Sequence, residues 1–143
     1  MKIKVKLENQ LYMPEKKHIG DSGFDLKAAI RESHVILKPG SILRIDSGVA
    51  IELPDGFEGQ VRGRSSLNQK GIVALLGTID SGYRGKIGII LINLSKEDYI
   101  INRGDRVAQL VIAPIYSHKI DLQSVELLDD SNRGNQGFGS TGK

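Results

Sequence analysis

Residues able to do chemistry fall into four short stretches. The last, GFGSTGK at Gly137 to Lys143, spells G-x-x-x-x-G-K, the frame in which backbone N–H groups cradle phosphate oxygens. A Walker-type loop also needs a strand before it and a helix after it, because the helix N-terminus helps to hold the anion. No helical pattern follows here, so a Walker site is not expected. The stretch suits a different arrangement. Arg133 carries a planar fork matched to phosphate oxygens. Gly134, Gly137, Gly139 and Gly142 let backbone donors approach an anion closely. Phe138 is one ring in a polar segment. Together they suit a clamp, with a ring for a base and donors for phosphates. The plain alternative is an unstructured tail.

Three further stretches stand out. VRGRSSL puts Arg64, Ser65 and Ser66 at a strand end, where hydroxyl and N–H donors can meet an anion. GTIDSGYRG puts Asp80, Tyr83 and Arg84 in a tight turn, and RGDRVAQL carries Gln109 in an otherwise apolar strand. Each also has a purely structural reading: a helix cap at Arg64 to Ser66, an Asx turn at Asp80, a solvent-facing Gln109.

The elements that must position these residues repeat with period two. IKVKL sets Ile3, Val5 and Leu7 against Lys4 and Lys6; VAIEL groups Val49, Ile51 and Leu53 before a break at Pro54 to Gly56. FEGQVRGR alternates in the same way. These are half-buried strands between turns. Ile87 to Asn93 and Val107 to Ile115 are apolar throughout and suggest strands buried on both faces. Only Ser65 to Lys70 suggests a helix. Many short strands with Gly and Pro between them predict an all-β sandwich, jelly roll or barrel. From Asp129 onward the chain is polar and glycine-rich, the composition of a mobile arm.

Taken together, GDSGFDLKA, GRSSL, GTIDSGYRG, RGDRVAQL and RGNQGFGSTG stand in that order from Gly20 to Gly142. In motif content and order the chain resembles the homotrimeric dUTPases, the dUTP diphosphatases, over nearly its whole length. The resemblance implies a jelly-roll-like β-barrel domain over 1–128, an arm over 129–143 carrying the fifth motif, and a trimer with active sites shared between subunits. It implies Mg²⁺-dependent hydrolysis of dUTP to dUMP and pyrophosphate, which limits uracil in DNA and supplies dUMP for dTMP synthesis.

By the same resemblance, Asp80 would activate a water for in-line attack on the α-phosphorus. Asp25 would hold Mg²⁺ through water. Arg64, Ser65, Ser66 and Gln109 would contact phosphates, and Arg133, Gly139, Ser140 and Thr141 would wrap the β- and γ-phosphates. Phe138 would stack on uracil, and Tyr83 would pack under the deoxyribose and exclude a 2′-hydroxyl. Uracil would be read by main-chain groups of a hairpin at about Ala74 to Ile79, including Gly77, Thr78 and Ile79. Two positions depart from the family pattern: Gly63 stands where Pro is usual, and Ala74 where an Asn commonly helps to read uracil.

Composition narrows the alternatives. The 143 residues suffice for one domain with its own core. With no cysteine, disulfides, thiolate nucleophiles and Cys-containing zinc sites are excluded. His18, His34 and His118 lack metal-ligand spacing. A net charge of +3 and 5% aromatic residues argue against stable nucleic-acid binding. No apolar run spans a membrane, and the N-terminus lacks a signal-peptide core, so a cytoplasmic location is expected. The nearest rival is a dCTP deaminase-like enzyme, which uses a glutamate where this chain has Ile90. The other is a non-catalytic nucleotide-sensing trimer.

Overall fold

The computed structural model describes residues 1–135, apart from the side chain of His118. Alternating sequence becomes strand wherever one face can be buried. β1 (Lys4–Leu7) leaves its lysines exposed, half-buries Val5 and Leu7, and pairs antiparallel with β5 (Val49–Glu52). Gly48 leads into β5 at φ 70, a conformation that side chains resist, and the Tyr12 ring occupies the space a Cβ would take.

Four antiparallel strands make the larger sheet, in the order β2 (Gly23–Lys27), β11 (Arg106–Pro114), β6 (Phe57–Arg62) and β8 (Gly77–Ile79). A second sheet holds β4 (Ile42–Asp46), β9 (Gly88–Asn93) and β7 (Ile72–Ala74). β3 (His34–Leu37) pairs with β10 (Tyr99–Asn102). The one α-helix among the described residues, α1 (Ser65–Asn68), is a single turn after β6. The strands enclose one core, in which Leu26, Leu37, Ile72, Ile89, Leu91 and Ile101 are at most 1% exposed. Burial of each such side chain contributes about 1.5–3 kcal/mol. The chain is the expected all-β, jelly-roll-like fold.

Two expectations change. The run from Ile87 to Asn93 is covered on one face only: Ile89, Leu91 and Asn93 point into the core, while Ile90 is 41% exposed. An apolar run therefore does not by itself show that the chain covers both faces of the strand. The segment from Ala74 to Ile79 is a corner, not a paired hairpin. β7 pairs with β9 and β8 pairs with β6, so the chain changes sheets at Leu75 and Leu76. Ala74 is buried under that corner.

Candidate active site

Register decides which side chains meet. On the outer face of the larger sheet, Asp25 of β2 pairs with Gln109 of β11, and Gln109 pairs with Arg62 of β6. A bulge in β11 adds to this row. Lys27 faces Arg106 while Leu26 faces Ala108, so Val107 is the extra residue. Gln109 is three positions after Arg106, an offset that simple alternation would place on opposite faces. The bulge returns them to the same face, and lets both Val107 and Ala108 be buried.

The row is tied by charge. Arg64 Nε lies 2.9 Å from Asp25 Oδ1, and its Nη1 donates to the carbonyl of Arg106 at 2.9 Å. Arg106 Nη1 reaches Asp25 Oδ2 at 3.4 Å. Gln109 is half-buried and donates from Nε2 to the Gly63 carbonyl at 2.9 Å, so it does not face solvent freely. Lys17 and His18 also line this cleft, together with Glu15 and Asp21. Arg64 occupies the N-cap position without a side-chain cap, and Ser65 and Ser66 open the helix with exposed side chains. The serine cap is therefore replaced by two hydroxyls left to other donors and acceptors. No group of three acidic or histidine side chains suited to a metal exists among the described residues. One carboxylate, Asp25, fits a role through water: among the described residues its Oδ2 has only the long contact with Arg106.

Asp80 lies elsewhere. Its carbonyl accepts the Tyr83 N–H at 3.0 Å, so the turn closes through main chain, and its exposed carboxylate has no hydrogen-bond or ion-pair partner among the described residues. An Asx bond is therefore not what Asp80 provides. Tyr83 is 45% exposed and donates from its hydroxyl to the Lys86 carbonyl at 3.1 Å. Arg84 folds back onto the carbonyls of Ser81 and Tyr83. Lys86 pairs with Glu8 at 2.7 Å, and that hydrogen bond, then the charge of Glu8, raises the Lys86 pKa above its ordinary value. Asp80, Tyr83, Thr78 and Gly77 line one cleft with Arg44 and Ile90. Ile79 is buried, so it can offer a ligand only its backbone.

The two clefts share no lining residue. Ile79 pairs with Gly59, near the start of β6, whereas Arg64 lies beyond its other end. Strand rise alone then sets Asp80 and Arg64 on the order of 15–20 Å apart. Arg133 is exposed, at the end of the described chain. Phe138, Gly139, Ser140 and Thr141 lie outside the described residues. Sequence reasoning missed several side chains that line these clefts, among them the cations Arg44, Lys86 and Arg106. Arg44 carries a legible signal, a lone cation within the apolar ILRI run.

A family model for dUTPase matches residues 9–142. The deoxyuridine 5'-triphosphate nucleotidohydrolase of Gloeothece citriformis is 44% identical, with 99% of this chain and 97% of that protein covered. That of Clostridium tetani is 43% identical, with 100% and 97% covered. Among solved structures, a variant dUTPase of Staphylococcus bacteriophage 80alpha with dUpNHpp gives a TM-score of 0.84 at 31% identity, over 99% of each chain. A variant dUTPase from phage phi11 of S. aureus, described for its coordination of a structural Mg(II) ion, gives 0.80 at 30% identity, over 91% of this chain and 100% of that one.

Proposed function

The chain belongs to the dUTPase family, and we propose that it hydrolyses dUTP to dUMP and pyrophosphate at sites assembled between three copies. The observation that carries the reading is the Asp80 carboxylate, without a partner among the described residues, in one cleft with Tyr83 and the Gly77–Ile79 strand. Asp80 accepts a proton from a water whose oxygen bonds to the α-phosphorus. The bond from that phosphorus to the bridging oxygen breaks in line, and pyrophosphate leaves. A positioned base gives on the order of 10²–10⁴-fold, so positioning and charge stabilisation supply the rest.

Arg64, Ser65, Ser66 and Gln109 bind phosphates from the second cleft, joined by Arg106. Backbone groups of Gly77, Thr78 and Ile79 read uracil, and Tyr83 lies beneath the deoxyribose. Arg133, Gly139, Ser140 and Thr141 close on the β- and γ-phosphates from the arm over 129–143, with Phe138 on the base. When bound, Mg²⁺ neutralises and shapes the triphosphate; Asp25 is the residue to hold it, through water. The separation of the two clefts supports sharing, because one chain places its candidate base too far from its phosphate donors for a single triphosphate. A deaminase is disfavoured by Ile90, which lines the Asp80 cleft with an apolar side chain.

The test is pyrophosphate release with Mg²⁺ from dUTP, dCTP, dTTP and UTP in parallel. Release from dUTP alone is expected. Equal release from dTTP would show that Ala74 leaves the pocket open to a 5-methyl group. Loss of ammonia from dCTP would overturn the hydrolase reading.

A further inference from the structure

The Asp80 turn holds two glycines close in sequence, and the structure separates their roles. Neither Gly82 nor Gly85 has a positive φ, so backbone conformation demands glycine at neither position. Around Gly82 there is nothing within 4 Å of where a Cβ would stand. At Gly85 a Cβ would overlap the Tyr83 hydroxyl and Cζ and lie 2.9 Å from Cε2. The outer end of the Tyr83 ring therefore rests in the space left by the missing side chain of Gly85. Its hydroxyl is held from the same side by the Lys86 carbonyl, and Lys86 is itself fixed by Glu8.

We infer that Gly85 is a positioning residue that sets sugar selectivity by seating the Tyr83 ring. This rests on the reading of Tyr83 as the residue beneath the deoxyribose. A methyl group at position 85 pushes the ring off its seat and off the Lys86 carbonyl. The ring is half-exposed, so it has room to swing without unfolding the turn. A displaced ring leaves space where a 2′-hydroxyl would otherwise be refused. The substitution thus acts on the choice between dUTP and UTP more than on folding.

The experiment compares kcat/KM for dUTP and UTP, together with Tm, in wild type, Gly82→Ala, Gly85→Ala, Tyr83→Ala and the Gly85→Ala/Tyr83→Ala double variant. The dUTP-over-UTP ratio is expected to fall by roughly tenfold or more in Gly85→Ala. Gly82→Ala should keep the wild-type ratio, and the double variant should match Tyr83→Ala alone, because the glycine acts through the ring. An unchanged ratio in Gly85→Ala beside a lowered one in Tyr83→Ala would overturn the inference and spare the reading of Tyr83. Unchanged ratios in both would overturn that reading and the inference with it. An equal fall in both glycine variants would overturn the seating argument in favour of general turn mobility.

Discussion

Asp80 is available for chemistry because its turn does not need its side chain. The turn closes through the Asp80 carbonyl and the Tyr83 N–H, so Asp80→Asn should keep the fold. Steady-state kinetics should show kcat lower by on the order of 10²–10⁴-fold with KM for dUTP little changed; an unchanged kcat would remove Asp80 from the role of base. Gln109 offers a subtler case. A Cβ at Gly23 would overlap Gln109 Oε1 and stand 3.0 Å from Cδ, although the backbone at Gly23 has no positive φ. Gly23→Ala should therefore displace the amide from the Gly63 carbonyl, raising KM for dUTP several-fold with a smaller change in kcat, and Gln109→Ala should do the same. Equal KM values in wild type and both variants would exclude Gln109 from substrate binding. Asp80, Arg64 and Gln109 were legible as residue types in motifs. Arg106 was not, because its place beside Asp25 depends on one bulged residue. The RVAQ spacing, with two apolar residues between two polar ones, holds that signal only for a reader who already knows the strand faces inward.

At the scale of elements, period-two alternation located β1, β5 and β6, since each has one wet face and one dry face in the same chain. It fails where a strand end is fixed by one polar side chain. Asn93 closes β9 and is fully buried. Its Nδ2 donates to the carbonyls of Leu37 and Glu97, both at 2.8 Å, and its Oδ1 accepts from the N–H and hydroxyl of Ser95 at 2.9 and 2.7 Å. One amide thus joins β9, the end of β3 and the loop toward β10, with all its bonding capacity used. Nothing about an Asn at the end of an apolar run separates this from a surface turn. Asn93→Leu leaves those groups without their partner, and urea unfolding should show a loss of about 2–4 kcal/mol. A loss below about 0.5 kcal/mol, the usual range for a surface change, would show that the loop re-pairs without it.

At the scale of the whole molecule, the outer face of the β4-β9-β7 sheet is the unfinished part. Register aligns Ile42, Ile92 and Val73, with Ile90 in the next row, and Ile42 and Ile90 are 62% and 41% exposed. Beyond β11, Leu122, Leu127 and Leu128 are 90%, 88% and 88% exposed. Apolar surface on this scale marks interaction sites, and the proposed function has a second chain complete each of the two clefts. Ile42→Glu should therefore lower the mass seen in sedimentation and abolish turnover together; an active monomer would defeat the shared-site proposal. Complementation tests it more sharply. Asp80→Asn lacks the base, and Arg64→Ala lacks a phosphate donor from the other cleft. Each alone should be inactive. If every site takes one cleft from each of two neighbours, co-expressed variants mixing at random leave each half intact with even odds. About a quarter of the sites in the whole co-expressed pool would then be whole, and that pool should recover roughly that share of wild-type kcat. Sites built within single chains would recover nothing, however the subunits mix, because every chain would carry one defect in its own site.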